Sequence, residues 1–146
     1  MILSTKGRYG TRAMLELAAN YKNGPIVIKE IARRQKISEK YLVQVMALLK
    51  RANLVTSIQG SRGGFVLATH PSRINLKEII DALEGSLAPA QCVNNEKACE
   101  RSSLCVTRYV WKEIDDSISR ILKSITLEDL VKRQGEKLQP PATNIL

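Results

Sequence analysis

Met14, Leu17, Ala18 and Tyr21 fall at i, i+3, i+4 and i+7, the spacing that lines one face of a helix. Ser4 or Thr5 can cap that helix, and Asn23-Gly24-Pro25 ends it. A second, short helical pattern, IKEIARRQ, gathers Ile28, Ile31 and Ala32 on one side. Ser38 is then a good N-cap for EKYLVQVMALLKRAN, whose buried stripe is Leu42, Val45, Met46 and Leu49. The same period turns Lys40, Gln44, Ala47 and Arg51 away from the core. Two helices of unequal length joined by about four residues make a helix-turn-helix.

Beyond Asn53 the period changes. LVTSI and FVLAT are short β-rich runs around QGSRGG, a hairpin whose glycines permit positive φ and whose tip carries Arg62. His70-Pro71-Ser72 marks a break, Asn75 caps NLKEIIDALEG, and Gly85 stops it. After a cysteine-bearing loop, Leu104, Thr107, Trp111, Ile114, Ile118, Ile121 and Ile125 recur at alternating intervals of 3 and 4, a coiled-coil spacing. Val106, Val110 and Leu122 supply a second stripe, so this helix can serve its own core and a partner. Trp111, Ile114, Ile118, Ile121 and Ile125 are the expected dimer seam. Thr126 caps a last short helix, TLEDLVKRQG, and the Pro-containing tail reads as frayed.

The expected fold is mostly α: a winged helix-turn-helix of three helices plus a two-stranded wing, with a long C-terminal dimerisation helix. Its divisions are a DNA-binding domain over 1–73, a short helix and cysteine loop over 74–103, the dimerisation helix and short last helix over 104–134, and a flexible tail over 135–146.

Charge sharpens the functional reading. Residues 1–73 hold 13 Lys+Arg against 3 Asp+Glu, and residues 74–146 hold 10 against 11, so the net +9 is carried by the first half. That is the electrostatic footprint of nucleic-acid binding. A single Phe, a single Trp and four Tyr argue against a stacking platform for single strands, leaving duplex DNA. No export signal or apolar run of membrane-spanning length is visible, which places the chain in the cytoplasm with no membrane partner. An enzyme is disfavoured: one histidine, no acid paired with it at recognisable spacing, no phosphate-binding glycine loop, and thiols bunched together.

A recognition helix opening at Ser38 would lie in the major groove with Glu39, Lys40 and Gln44 nearest base edges. Gln44 suits adenine, Lys40 suits guanine, and Val43 can touch a thymine methyl; Tyr41 lies among them. On the hairpin, Gln59 and Ser61 adjoin Arg62, which is placed to enter a narrow minor groove. Lys6, Arg8, Arg12, Arg33, Arg34, Lys50 and Arg51 would mostly contact phosphates, which fix register without reading sequence.

All three cysteines, Cys92, Cys99 and Cys105, lie in one loop, with six and then five residues between them. Three thiols cannot all pair within one chain, and cytosolic thiols are normally reduced, so a disulfide framework is the poorer reading. Zinc sites favour gaps of about two to four residues and a fourth Cys or His. Here the gaps are wider, and the sole histidine, His70, lies across the proline-marked break. A bare redox switch needs an exposed thiol of low pKa, which Lys97, Arg101 and Arg108 can favour. An iron-sulfur centre needs soft thiolates on a loop long enough to wrap it, and three cysteines with one further ligand satisfy a 2Fe-2S cluster.

STKGRYGTRAMLELA, IKEIARRQKISEKYLVQVMALLKRANLVTSIQGSRGGFVLA, the CVNNEKACERSSLC loop and SITLEDLV together resemble the IscR-type family of bacterial winged-helix transcriptional regulators, over roughly residues 1 to 132. The resemblance implies a homodimeric transcription factor on a pseudo-palindromic operator, with one 2Fe-2S cluster per subunit held by Cys92, Cys99 and Cys105. Some relatives carry no cluster, and the alternative it implies is a cluster-free thiol- or metabolite-sensing repressor of the same fold. Three positions depart from the family pattern. Arg108 stands where IscR has a histidine ligand, which leaves the fourth ligand open among Glu96, Glu100, Tyr109, His70, a solvent thiol or a residue of the other protomer. Val43 replaces an acidic residue used in operator selection, and Gln59 replaces the usual arginine before the wing glycine.

Overall fold

The computed structural model describes residues 2–138. The expected tail beyond Leu138 lies outside the described residues. Helix α1 (Thr5–Ala19) starts at Ser4, whose hydroxyl accepts the Gly7 N–H. The chain leaves this helix at Asn20, earlier than the apolar spacing predicts. Tyr21 therefore sits on a separate 3-10 turn, 41 % exposed, and meets the His70 ring edge-on at 5.2 Å.

Helix α2 (Ile28–Gln35) and helix α3 (Glu39–Arg51) are joined by Lys36, Ile37 and Ser38. Lys36 takes the left-handed conformation at φ 54°, Ile37 is buried, and the Ser38 hydroxyl accepts the Tyr41 N–H at 3.0 Å. On α3, Leu42, Val45, Met46 and Leu49 are all fully buried. Each such side chain contributes ~1.5–3 kcal/mol when taken from water, so this stripe fixes the rotation of the helix and which side faces out.

Strands β1 (Val55–Ile58) and β2 (Gly64–Leu67) pair antiparallel in the register Val55↔Leu67 to Ile58↔Gly64. Phe65 also exchanges two backbone hydrogen bonds with Ile26, which pins the wing to the loop before α2. Gly64, at φ +147°, is needed there because a Cβ would strike the Ile26 carbonyl.

The core continues past the wing. Asn75 caps α4 (Leu76–Glu84) in a reciprocal box with Glu78, and Ile79 and Leu83 are buried with Met14 and Leu17 of α1. The helices approach closely at Gly10, where a Cβ would collide with Leu83. At the same junction Glu84 accepts the Ser4 N–H at 2.8 Å and the Ser4 hydroxyl. Helix α7 (Leu127–Leu138) returns to the first half and packs on α1. Thr126 and Asp129 cap it reciprocally, and Leu127 is fully buried in the common core. The helix runs four residues beyond the boundary expected at residue 134, so residues 135–138 are helical rather than tail.

Between these lie a short helix α5 (Gln91–Asn94), a 3-10 turn at Glu96–Ala98, and the long helix α6 (Val106–Ser124). Not one residue of α6 is buried. Its inner side carries Ile118 and Leu122 toward α4, while Val110, Ile114 and Ile121 border an open outer groove. Trp111, at 38 % exposed, lies at the edge, and Ile125 ends the helix and accepts the Leu76 N–H through its carbonyl. Among the described residues no helix is long and apolar enough to cross a membrane.

Candidate functional site

The buried stripe of α3 leaves Glu39, Lys40, Val43, Gln44 and Ala47 on one exposed face, with Ser38 at its start. Val43, at 53 % exposed, is the apolar member of that face beside Ala47. Tyr41 is half-buried, its ring edge-on to Tyr9 at 5.9 Å, so it braces α3 against α1 and faces outward only in part. At the wing, Gln59, Ser61 and Arg62 are all exposed on a turn closed by the Gly63 N–H to the Gly60 carbonyl at 3.0 Å.

The basic residues assigned to DNA from the sequence separate into two sets. Among the described residues Lys6, Lys40, Arg51 and Arg62 take part in no salt bridge. The others already have work inside the chain. Arg12 donates to the Gln35 side chain at 2.9 Å and to the Gln35 carbonyl, closing the end of α2, and lies over the Tyr9 ring. Arg8 lies over the same ring. Arg33 reaches Glu30 at 2.6 and 2.9 Å, and Arg34 reaches Glu30 at 2.7 Å and Glu16 at 3.4 Å. These hydrogen bonds, from Arg33 first and then Arg34, hold the Glu30 carboxyl down to about 2. Both guanidiniums are correspondingly raised. Lys50 donates to Ser57 at 2.8 Å, tying α3 to β1. Glu30 with Arg33 and Arg34 has the i+3 and i+4 spacing of a helix pair, a local signal that the assignment of both arginines to phosphates passed over. The bridge from Arg12 to Gln35 spans 23 positions and gave no local signal.

The cysteine segment is shaped by two other side chains. Ser102 is 5 % exposed, and both its N–H and its hydroxyl donate to the Cys99 carbonyl. Arg108, on the first turn of α6, donates through Nε to the Cys92 carbonyl at 2.8 Å and pairs with Glu96 at 3.1 Å. Cys105 is the N-cap of α6, where the Thr107 hydroxyl, backbone N–H groups of Arg108 and Thr107 and the charge of Arg101 lower its thiol. Cys92 and Cys105 are half-buried and Cys99 is exposed, all three unpaired. Among the described residues no three His, Cys, Asp or Glu side chains converge as a metal cage. His70 is remote from this loop in its bonding: its Nδ1 accepts the Ser72 N–H, 3.7 Å from Glu128 of α7.

A family profile described as "Rrf2: Iron-dependent Transcriptional regulator" matches residues 3–133. The chain belongs to the Rrf2 family. Among solved Rrf2 relatives, the chain superposes on T. potens IscR with a TM-score of 0.80 at 40% identity, covering 96% of this chain and 93% of that one. It superposes on CymR, the global cysteine regulator of B. subtilis, with a TM-score of 0.77 at 39% identity, covering 91% and 98%. Protein rrf2 of Nitratidesulfovibrio vulgaris is 39% identical over 132 residues, 90% of this chain and 88% of that protein. The protein is accordingly a winged-helix, DNA-binding transcriptional regulator and not an enzyme.

An Rrf2 fold with three loop thiols raises a cofactor that the residues must be able to hold. In donor chemistry they fit a 2Fe-2S centre: three soft ligands, on the short helix α5, after the 3-10 turn and at the start of α6, all reachable from solvent. The fit is one of donors and reach, since the loop must draw in to bring the sulfurs together.

Proposed function

We propose that this Rrf2 regulator is a cytoplasmic homodimer that reads a pseudo-palindromic operator in duplex DNA and reports iron-sulfur or redox status through a 2Fe-2S cluster on Cys92, Cys99 and Cys105. The observation that carries the reading is the position of the thiols at the root of α6, the helix whose outer apolar face the chain leaves open. A change at the loop therefore acts on the element expected to set the spacing of two wings. When bound, the cluster supplies a one-electron redox centre whose presence depends on iron and sulfide supply. Val110, Ile114 and Ile121 seat the partner's α6, with Trp111, Ile118 and Ile125 at the margins of that seam.

On each half-site α3 enters the major groove. Gln44 and Lys40 read base edges, Val43 covers a thymine methyl, and Ser38, Glu39 and Tyr41 frame them. Gln59 and Ser61 carry Arg62 to the adjoining minor groove. Lys6, Arg8, Arg51 and, in part, Lys50 hold phosphates, while Arg12, Arg33 and Arg34 brace the reading head and lend it positive potential.

Operator selection with anaerobic protein, with and without cluster, tests both halves. Gln44→Ala should cost ~1–3 kcal/mol at one base position and leave random-DNA binding unchanged. Equal loss on both DNAs would remove α3 from the major groove. A colourless, iron-free protein after anaerobic preparation would favour the second reading, a cluster-free thiol sensor. That reading draws support from the hydrogen bonds that Arg108 and Ser102 give the Cys92 and Cys99 carbonyls, which shape the loop from within the chain.

A further inference from the structure

We infer that Glu96 is the fourth protein ligand of the cluster and that Arg108 is the positioning residue that presents it. The inference rests on the 2Fe-2S reading above. A centre of two irons and two bridging sulfides takes four protein donors, so three thiolates leave one place to fill.

The fold separates the residues that the sequence left open. His70 caps the 3-10 turn at Pro71–Arg73, its ring against Tyr21 and near Glu128, in the seam between α1 and α7. Tyr109 leaves α6 63 % exposed and makes no side-chain hydrogen bond among the described residues that would aim it at the loop. Glu100 is exposed and likewise unheld. Among these candidates Glu96 is the one held to the loop by another side chain. Its carboxylate takes the Arg108 guanidinium at 3.1 Å, and the same guanidinium donates to the Cys92 carbonyl at 2.8 Å. Three residues before Arg108 is Cys105, the N-cap of the same helix. One arginine, on the turn that Cys105 opens, thus joins the Cys92 backbone to one carboxylate.

The chemistry of that join is the chemistry of an outer partner to a metal ligand. Arg108 cannot itself bind iron as a neutral donor, because a guanidinium stays protonated. A carboxylate has two oxygens, and Arg108 engages one of them, leaving the other for a metal; ligating carboxylates are regularly held this way. The Arg108 side chain is 13 % exposed and that of Glu96 77 %, so the pair has an anchored end and an end able to swing toward the sulfurs. Three thiolates and a carboxylate gathered around the cluster carry excess negative charge, which Arg108 and Arg101 offset.

The test is anaerobic reconstitution of the full chain with ferrous iron and sulfide. Wild type is compared with Glu96→Gln, Glu96→Cys, Glu100→Gln and Arg108→Gln. The readouts are iron and sulfide per chain, visible circular dichroism, EPR g values of the reduced centre, and the rate of iron loss to a chelator. Glu96→Gln should change the dichroism and g values and lose iron on the order of 10- to 100-fold faster. Arg108→Gln should shift the same readouts in the same direction by less, Glu96→Cys should restore retention with the spectrum of an all-thiolate centre, and Glu100→Gln should match wild type. Wild-type spectra and retention in both Glu96 variants would overturn the ligand assignment and leave the cluster reading standing. A wild-type chain that takes up neither iron nor sulfide would overturn the cluster reading and the assignment with it.

Discussion

Helices α3 and α6 are both amphipathic, yet their ends in the fold are opposite. In α3 every residue of the apolar stripe, Leu42, Val45, Met46 and Leu49, is fully buried within 13 residues. In α6 the 19 residues bury none, and Ile121 stays 57 % exposed. A periodic stripe says that a helix has a dry side to cover. It does not say whether the cover lies in the same chain. For α3 the covering surfaces are α1, α2 and α4, all local enough to be supplied by one domain. For α6 the described residues supply α4 and the cysteine segment on one side, while Val110, Ile114 and Ile121 border an open groove on the other.

The largest expected effect contrasts the two helices directly. Leu42→Ala should destabilise the fold by ~3 kcal/mol, the usual cost of emptying a fully packed leucine site. Ile121→Ala, measured in protein diluted to monomer, should change stability by less than about 0.5 kcal/mol. Urea denaturation of both variants decides it. Comparable losses would mean that α6 is covered within its own chain and that the contrast is false.

A smaller free-energy change, with a larger visible consequence, is expected at the seam. Placing two charges in it, Ile114→Asp with Ile121→Asp, should raise the dimer dissociation constant on the order of 100-fold, because a desolvated carboxylate in an apolar contact finds no partner. Sedimentation should report monomer at concentrations where wild type is dimeric, and the far-ultraviolet dichroism should be unchanged. Operator affinity should fall with it, since the two half-sites are then no longer bound as one event. A variant that remains dimeric would move the interface off this face of α6.

The same contrast explains what the amino-acid pattern disclosed beforehand. Local signals were reliable where local physics decides: α2 spans the residues of its IKEIARRQ pattern, Ser38 and Asn75 cap as their chemistry requires, and the wing glycines mark its turn. The pattern failed where distant packing decides. Tyr21 continues the apolar spacing of α1, but the backbone turns at Asn20 and places its ring on His70, 49 positions further along the chain. Helix α7 is docked by its first turns, where Leu127 is buried in the common core with Leu130 and Val131 against it, and the helix continues largely exposed to Leu138. At the candidate site, the face of α3 was readable from its period. The commitment of Arg12 to Gln35 and of Arg108 to the Cys92 carbonyl was not, since each joins residues far apart in sequence.

The smallest effect is expected where the reading head completes even its charges internally. The Glu30 carboxyl is lowered to about 2 by hydrogen bonds from Arg33 and then Arg34. A carboxyl whose folded value lies below its unfolded one adds stability that is fully present above the unfolded value and is lost as pH falls through the folded one. The pairing should therefore be constant from pH 5 to 8 and disappear between about 4 and 2, and being exposed it should weaken with salt. Carboxyl chemical shifts of Glu30 across an acid titration read this directly; a midpoint near the ordinary glutamate value would show the arginines to be unengaged. The consequence for DNA follows from the same bonds. Phosphates must compete with Glu30 for Arg33 and Arg34, so Glu30→Gln should release them, raising affinity for random duplex and steepening its salt dependence by about one phosphate per guanidinium engaged. Operator preference should stay as it was, because phosphates carry no sequence. An unchanged slope would place both arginines off the DNA-facing side, and the positive half of the chain would then be reading its operator through α3 and the wing alone.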